Sequence, residues 1–276
     1  MHARRLITGF LSLPLLLSCV IWEHGDWLSA FVAALAFFFA RAEMYSLMGV
    51  KQRRSLLWWQ NALALLFFAF TILHRINILF AIAFLFYWGS CLITMRHSIS
   101  GSRHEIAAHG LALVYILFPL ASFVYLRSID QGHWYLYFML SVSCYTDIGA
   151  YYGGRRFGKH KLAPVISPNK TWEGSFCGTG FAILVIFATV WCQSFFHDAS
   201  LWLNGAHTYG ILAMVTIVMS AIGQVGDLCE SAMKRDAGVK DSGSDLTGHG
   251  GFLDIMDAML WIGPAMFVYV MLVSWT

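Results

Sequence analysis

The sequence predicts an all-α fold, a polytopic membrane bundle of about nine helices. Three observations carry this expectation. Hydrophobic residues make up 58% of the 276-residue chain and charged residues 12%, against roughly 25% charged in an average soluble domain. Mean hydropathy is +0.64. The apolar residues also fall into runs near the length a helix needs to cross a bilayer, roughly 20 residues. Together these exclude a disordered chain, a collagen-like chain and an ordinary soluble enzyme.

Taken in order, the spans are placed near 6–22, 27–40, 56–73, 76–95, 107–126, 133–149, 175–196, 208–226 and 258–275. The second is short for the hydrocarbon core. Pro119 and Pro264 lie inside spans, where neighbouring helices satisfy the freed carbonyls. Most spans carry Trp or Tyr near an end, as interfacial belts do. Arg4 and Arg5 before the first span give it the look of a signal peptide, but no A-x-A-like cleavage site follows. Leu16-Leu17-Ser18-Cys19 only faintly resembles a lipoprotein box. The residues divide into N-terminal membrane helices, 1–130, and C-terminal helices with the cytoplasmic loops, 131–276, working as one unit. The six cysteines show neither CxxC nor Cys/His zinc spacing and are read as small buried hydrophobes.

Lys and Arg set the orientation. With the N-terminus in the cytoplasm and nine spans, the cytoplasmic segments hold 16 of the 18 basic residues, leaving only Arg75 and Arg127 outside. The positive-inside rule favours this threading. It predicts that a reporter fused at Thr276 is extracytoplasmic; a cytoplasmic reporter there would contradict the odd span count. The net charge of +3 is too small to imply nucleic-acid binding.

Two inner segments carry the chemistry. In Asp147–Gly174, glycines alternate with Arg155, Arg156, Lys159, Lys161 and Lys170. Such a stretch suits phosphate cradled by backbone N–H groups and cations. It equally suits a basic loop lying against anionic lipid heads. Within it, Ser167–Glu173 resembles a capping box opening the seventh span, either an anion site or a plain helix cap.

The second segment, 226–257, holds seven of the fifteen acids. On a helix continuing past position 226, Asp227, Glu230, Ser231, Lys234 and Arg235 share one face. Asp254 and Asp257, three apart, share a face at the start of the ninth span. The glycine-rich Gly248–Gly251 turn, with His249, lets the two helix ends meet. Carboxylates at the ends of membrane helices are costly unless compensated. Mg2+ with substrate phosphates would compensate them; so would a structural salt-bridge network, and an ion pathway is a third reading.

These residues resemble a known signature. Ser231-Ala232-Met233-Lys234-Arg235, then Lys240-Asp241, then Gly248-His249-Gly250-Gly251-Phe252-Leu253-Asp254-Ile255-Met256-Asp257 is similar to the S-x-x-K-R-x4-K-D … P-G-H-G-G-x-x-D-R-x-D pattern of phosphatidate cytidylyltransferases (CDP-diacylglycerol synthases). Asp147–Gly174 resembles that family's G-R-x-x-G-K-H-K-L-A-P … S-P-x-K-T-W-E-G stretch. The two blocks cover about 60 residues. The N-terminal spans resemble the family only in being apolar.

The resemblance implies a reaction, joining CTP to phosphatidic acid to give CDP-diacylglycerol and pyrophosphate. It implies Mg2+, with K+ as a candidate second cation. Asp227, Asp254 and Asp257 would hold the metal, and Ser231, Lys234 and Arg235 would contact phosphates. Lys240, Asp241 and His249 complete the catalytic motif. Arg155, Arg156, Lys159, Ser167, Lys170, Thr171 and Glu173 would bind substrate. The implied partners are CTP, phosphatidic acid, the lipid bilayer and a second copy of the chain in a homodimer, with no nucleic acid. The implied place is a bacterial inner membrane, with the N-terminus and the active site cytoplasmic.

The chain departs from the pattern at three positions. Thr247 replaces Pro, Phe252 replaces an aliphatic residue, and Ile255 replaces the Arg of D-R-x-D. The surviving charges predict a divergent but active enzyme, a bacterial paralogue. The alternatives are a related CTP-dependent membrane enzyme acting on another lipid phosphate, a transporter, and a catalytically impaired scaffold.

Overall fold

The computed structural model describes residues 25–51, 53–96, 102–193, 209–243 and 251–274. The expected first span, 6–22, lies outside them, as does His249. The protein is an all-α polytopic membrane bundle. Seven of its described helices are long and apolar enough to cross a bilayer. They are α1 (Gly25–Leu47), α2 (Arg54–Ile72), α3 (Ile76–Met95), α4 (Ser102–Ser128), α6 (Trp172–Gln193), α7 (Tyr209–Asp236), and α8 (Phe252–Met256) taken together with α9 (Met259–Ser274). A further helix, α5 (Gly132–Phe157), is 26 residues long and more polar. It occupies the expected sixth span.

The second span, short in the sequence, extends to 23 residues as α1. Its buried stripe is mostly small: Ser29, Ala30, Ala33, Ala36, Phe37 and Ala40 recur every three or four residues. Small side chains let neighbouring backbones approach, which is how helices associate where lipid tails remove the hydrophobic driving force. The helix ends at Gly49, whose φ of +65° only glycine adopts cheaply. The amide of Val50 donates to Tyr45 O and that of Gly49 to Ser46 O, satisfying the last carbonyls. In α4, Pro119 has no N–H to continue the ladder. The turn before it, Ala112–Leu117, widens into a π-helix, and Phe118 N donates to Leu113 O. Thus part of the adjustment is local rather than supplied by neighbouring helices.

The α5–α6 hairpin is built on glycine. Gly149 and Gly153 on α5 face Gly178 and Cys177 on α6. A Cβ at position 149 would lie 2.6 Å from Phe181 Cβ, and one at 153 would overlap the Cys177 side chain. The glycines expected to form a phosphate-cradling loop are therefore helical. Their backbone N–H groups belong to the helix ladder, and their missing side chains serve close packing. Between the helices, β1 (Lys161–Ala163) pairs antiparallel with β2 (Ser167–Thr171).

Two apolar cores form among the described residues. One joins α1–α4 to Leu253 and Leu260; the other joins the end of α4 to α5, α6, α7 and α9. A polar stitch crosses the second, where Thr146 of α5 donates to Ser220 of α7 at 3.0 Å and Thr179 of α6 lies 2.9 Å from Ser220.

Two expectations need correction. Arg41, counted as a loop cation, is fully buried inside α1. Its Nη1 donates to Gln60 Oε1 at 2.9 Å, and its guanidinium lies over the Phe37 and Tyr45 rings. The cysteines are not uniformly buried. Cys91 is buried, but Cys144 and Cys192 are exposed, and Cys177 and Cys229 are partly so. Exposure on a bundle that sits in lipid costs a thiol little, because the outside is apolar too. All five are free thiols; Cys19 lies outside the described residues.

Candidate active site

Three elements bring charged groups together at one end of the bundle. The first is the C-terminal end of α7. Gly226 lets α9 come close: a Cβ there would meet Asp257 O at 2.8 Å and the Trp261 ring at 2.6 Å. Asp227, the next residue, therefore stands beside Asp257. The second element is the break between α8 and α9. The expected single ninth helix is interrupted at Asp257, whose carboxylate accepts from the Ala258 amide at 2.5 Å. This break turns Asp254 and Asp257 to different partners instead of leaving them on one face. The third is the hairpin, which delivers Lys170 into an ion pair with Asp227.

Around Asp227 and Asp257 lies Asp147 of α5, close enough for the three charges to act on one another. In the sequence Asp147 stands only at the edge of a motif, with no role of its own. Its signal was an acid within an apolar run, next to glycines. Ser231 donates to Asp227 Oδ1 at 3.3 Å.

Asp254 belongs to a second cluster. Lys234, 8% exposed, pairs with both Asp254 and Glu230, the latter at 2.9 Å. The other oxygen of Asp254 accepts from the amides of Ser242 at 2.8 Å and Gly251 at 2.7 Å. Both carboxylate oxygens are thus occupied by donors. The structure joins Asp227 to Asp257 and ties Asp254 to Lys234. Among the described residues, no three His, Cys, Asp or Glu side chains gather as an all-protein metal cage.

The remaining expected residues divide. Arg235 leaves the shared face of α7 and is exposed, donating to Val239 O at 3.0 Å. It does so because the chain reverses at Gly238, φ +69°, which brings that carbonyl back over the helix end. Lys240 and Asp241 are exposed just beyond, as are Arg155, Arg156 and Lys159 around the end of α5. Ser167 is half-buried in β2.

The cap of α6 is Thr171, whose Oγ1 accepts from Gly174 N at 3.1 Å. The expected capping box is not formed, since Glu173 sits two residues after Thr171 instead of three. Its carboxylate instead accepts from the amides of Lys159 (3.0 Å) and His160 (3.2 Å) and pairs with the His160 ring. Glu173 thereby staples the end of α5 to the start of α6, and holds the hairpin that carries Lys170.

Counting both clusters with Glu43 of α1, which joins the second, six carboxylates stand against the amines of Lys170 and Lys234. Carboxylates in such number at a bundle end are costly unless donors or a cation compensate them. Their hard oxygen donors suit Mg2+, which takes one or two carboxylates and leaves its other positions to water and phosphate. Asp227 and Asp257 fit that requirement, since neither has the full set of donors that occupies Asp254.

Comparison with known proteins identifies the family and several relatives. Residues 3–273 match the Cytidylyltransferase family. Over 171 residues the chain is 40% identical to a phosphatidate cytidylyltransferase of Bacillus subtilis, covering 62% of this chain and 60% of that protein. It is 40% identical over 167 residues to a phosphatidate cytidylyltransferase of Staphylococcus saprophyticus, covering 60% of each. Over 135 residues it is 42% identical to a Staphylococcus aureus protein of the same description, covering 49% of this chain and 48% of that protein. The chain spans 60% of the length of the first two relatives.

Proposed function

The chain belongs to the Cytidylyltransferase family, and from that premise we propose that it joins CTP to phosphatidic acid, giving CDP-diacylglycerol and pyrophosphate. One observation carries the reading. Asp227 and Asp257, from two membrane helices, meet Lys170 from the hairpin at a single end of the bundle. A site there meets a lipid phosphate from the bilayer and a nucleotide from water. Its place is the cytoplasmic side of a bacterial inner membrane.

An oxygen of the phosphatidate phosphate attacks the α-phosphorus of CTP. The bond from that phosphorus to the bridging oxygen breaks, and pyrophosphate leaves with the electron pair. The attacking oxygen is already anionic, so no strong general base is needed. The task is to bring two polyanions together and to stabilise charge on the leaving group. Asp227 and Asp257 would hold Mg2+, which would supply charge neutralisation for the triphosphate. Lys170 and Ser231 orient Asp227. Lys234, buried between Glu230 and Asp254, holds α7 to α8 rather than standing free for phosphate. Arg155, Arg156 and Lys159 form the exposed cationic rim that draws in the nucleotide.

The test is pyrophosphate release by purified protein in detergent–lipid micelles, with CTP and Mg2+. We expect release that depends on phosphatidic acid. Release with another lipid phosphate but not with phosphatidic acid would replace the acceptor; CTP-independent behaviour would remove the reading.

Ile255 enters here. It is 51% exposed on α8, so an arginine fits without clash. Lys170 already brings a cation to the aspartates from the other segment. Ile255→Arg alone is therefore expected to leave turnover within about threefold. Lys170→Met should lose the worth of one charge-assisted hydrogen bond, about 1–3 kcal/mol, or roughly 5- to 150-fold in rate. Ile255→Arg placed on Lys170→Met should recover part of that loss. A rise of tenfold or more from Ile255→Arg alone would show that Lys170 is no substitute.

A further inference from the structure

The start of α8 is held from an unexpected direction. Glu43 of α1 lies about 200 residues away in sequence. Its Oε1 accepts from the Phe252 amide at 2.7 Å, and its Oε2 accepts from the Leu253 amide at 2.8 Å. The Ser242 hydroxyl lies 2.8 Å from Glu43 Oε2 and 3.0 Å from Asp254 Oδ2. One O–H proton thus serves two carboxylates. Gly243 and Gly251 leave the space that the Glu43 carboxylate fills: a Cβ on either would stand 2.6 Å or 2.5 Å from its oxygens.

The opposite face of α1 is fixed as well. Besides the Arg41 bond to Gln60, Tyr45 lies 2.7 Å from His109 Nδ1 and Thr94 lies 2.9 Å from His109 Nε2. Gln60 donates to Ser90 at 3.0 Å. This buried network locks α1 against α2, α3 and α4, so Glu43 projects from a rigid backing.

Resting on the cytidylyltransferase reading, we propose that Glu43 is a positioning residue for the reaction, fixing the start of α8 and thereby the orientation of Asp254 and Asp257. The N-terminal helices then do more than anchor the chain, because they set the geometry of carboxylates on the C-terminal ones. A carboxylate is needed because three donors converge on it; an amide has one acceptor oxygen and would set its own N–H2 against the others. A misplacement near 1 Å in a reacting constellation costs on the order of a hundredfold in rate.

The experiment pairs kinetics with hydrogen exchange on the purified full chain. Glu43→Gln is expected to lower kcat by about tenfold or more while KM for CTP stays within about threefold. Exchange at residues 251–257 should rise in Glu43→Gln, with α2 and α3 unchanged. Ser242→Ala, which removes one donor, should lower kcat less, and the double variant should fall short of the product of the two single effects. Unchanged exchange at 251–257, or independent effects of Glu43→Gln and Ser242→Ala, would overturn the proposal. So would a loss of kcat accompanied by exchange rising evenly across the bundle. Exchange is read without substrate, so an inactive wild type that still shows the selective rise would sink the enzymatic reading while leaving the Glu43 clamp standing.

Discussion

Asp227→Asn should leave the bundle folded and reduce turnover by at least about a thousandfold, equivalent to about 4 kcal/mol of transition-state stabilisation. Asn keeps the size of the side chain and can still accept from Ser231, so packing is little disturbed. What it removes is the negative charge that pairs with Lys170 and stands beside Asp257. With that charge gone, the site loses half of the pair that fits a divalent cation, and Lys170 is freed to swing. Asp257→Asn should act alike, because it is the other half. Asp254→Asn should differ in kind: its carboxylate is bound by Lys234, Ser242 and Gly251, so the loss should include lower thermal stability. Steady-state kinetics alongside thermal unfolding in detergent separates the two patterns. Activity close to wild type in Asp227→Asn would remove the mechanism.

Gly153→Leu should be the most damaging substitution outside the charged groups. The added side chain would overlap Cys177 on the facing helix. Cys177 offers little give, since its own Cβ is among the atoms met. The α5–α6 pair must then separate. Overpacking of this kind costs about 1–3 kcal/mol, and more where the backbone has to move. Because α5 carries Asp147 and the hairpin carries Lys170, the same separation should abolish activity. Gly180→Ala is the matched control. It lies on the same hairpin with nothing near its would-be Cβ, so its stability should stay within about 1 kcal/mol of wild type. Unfolding midpoints followed by tryptophan fluorescence report both. Equal midpoints for Gly153→Leu and wild type would mean the two helices do not need their close approach.

Features set by local physics are the ones legible in the sequence. Apolar runs of bilayer length match α1 to α7 and α9, including the more polar α5, while the short α8 lies outside every expected span. Charge clustering groups Asp227, Asp254 and Asp257; the structure pairs Asp227 with Lys170 of the other segment and ties Asp254 to Lys234 instead. Two local readings failed for identifiable reasons. Glycines at 149 and 153 have the spacing of a helix-packing motif, yet their neighbouring cations suggested a phosphate loop. The spacing was the better guide. Glu173 was assigned to the cap of its own helix, but the amides of Lys159 and His160 present a better set of donors across the hairpin.

The long-range features had no sequence signal at all. Glu43 sits in an alanine- and phenylalanine-rich helix, some 200 residues from the amides it binds. Arg41 reads as a loop charge until its helix is seen to extend past it. Only the packing of α1 against α2 and α8 distinguishes these two residues from charges at a membrane surface.

The central claim is nucleotidyl transfer to a lipid phosphate, and isotope position tests it most directly. Purified protein is supplied with phosphatidic acid, Mg2+ and CTP labelled either at the α- or at the γ-phosphorus. The account predicts that α-label enters the chloroform-extractable lipid while γ-label is released as pyrophosphate, in equal amounts. Transfer of γ-label to lipid, or release of γ-label with no α-label in the lipid, would contradict it.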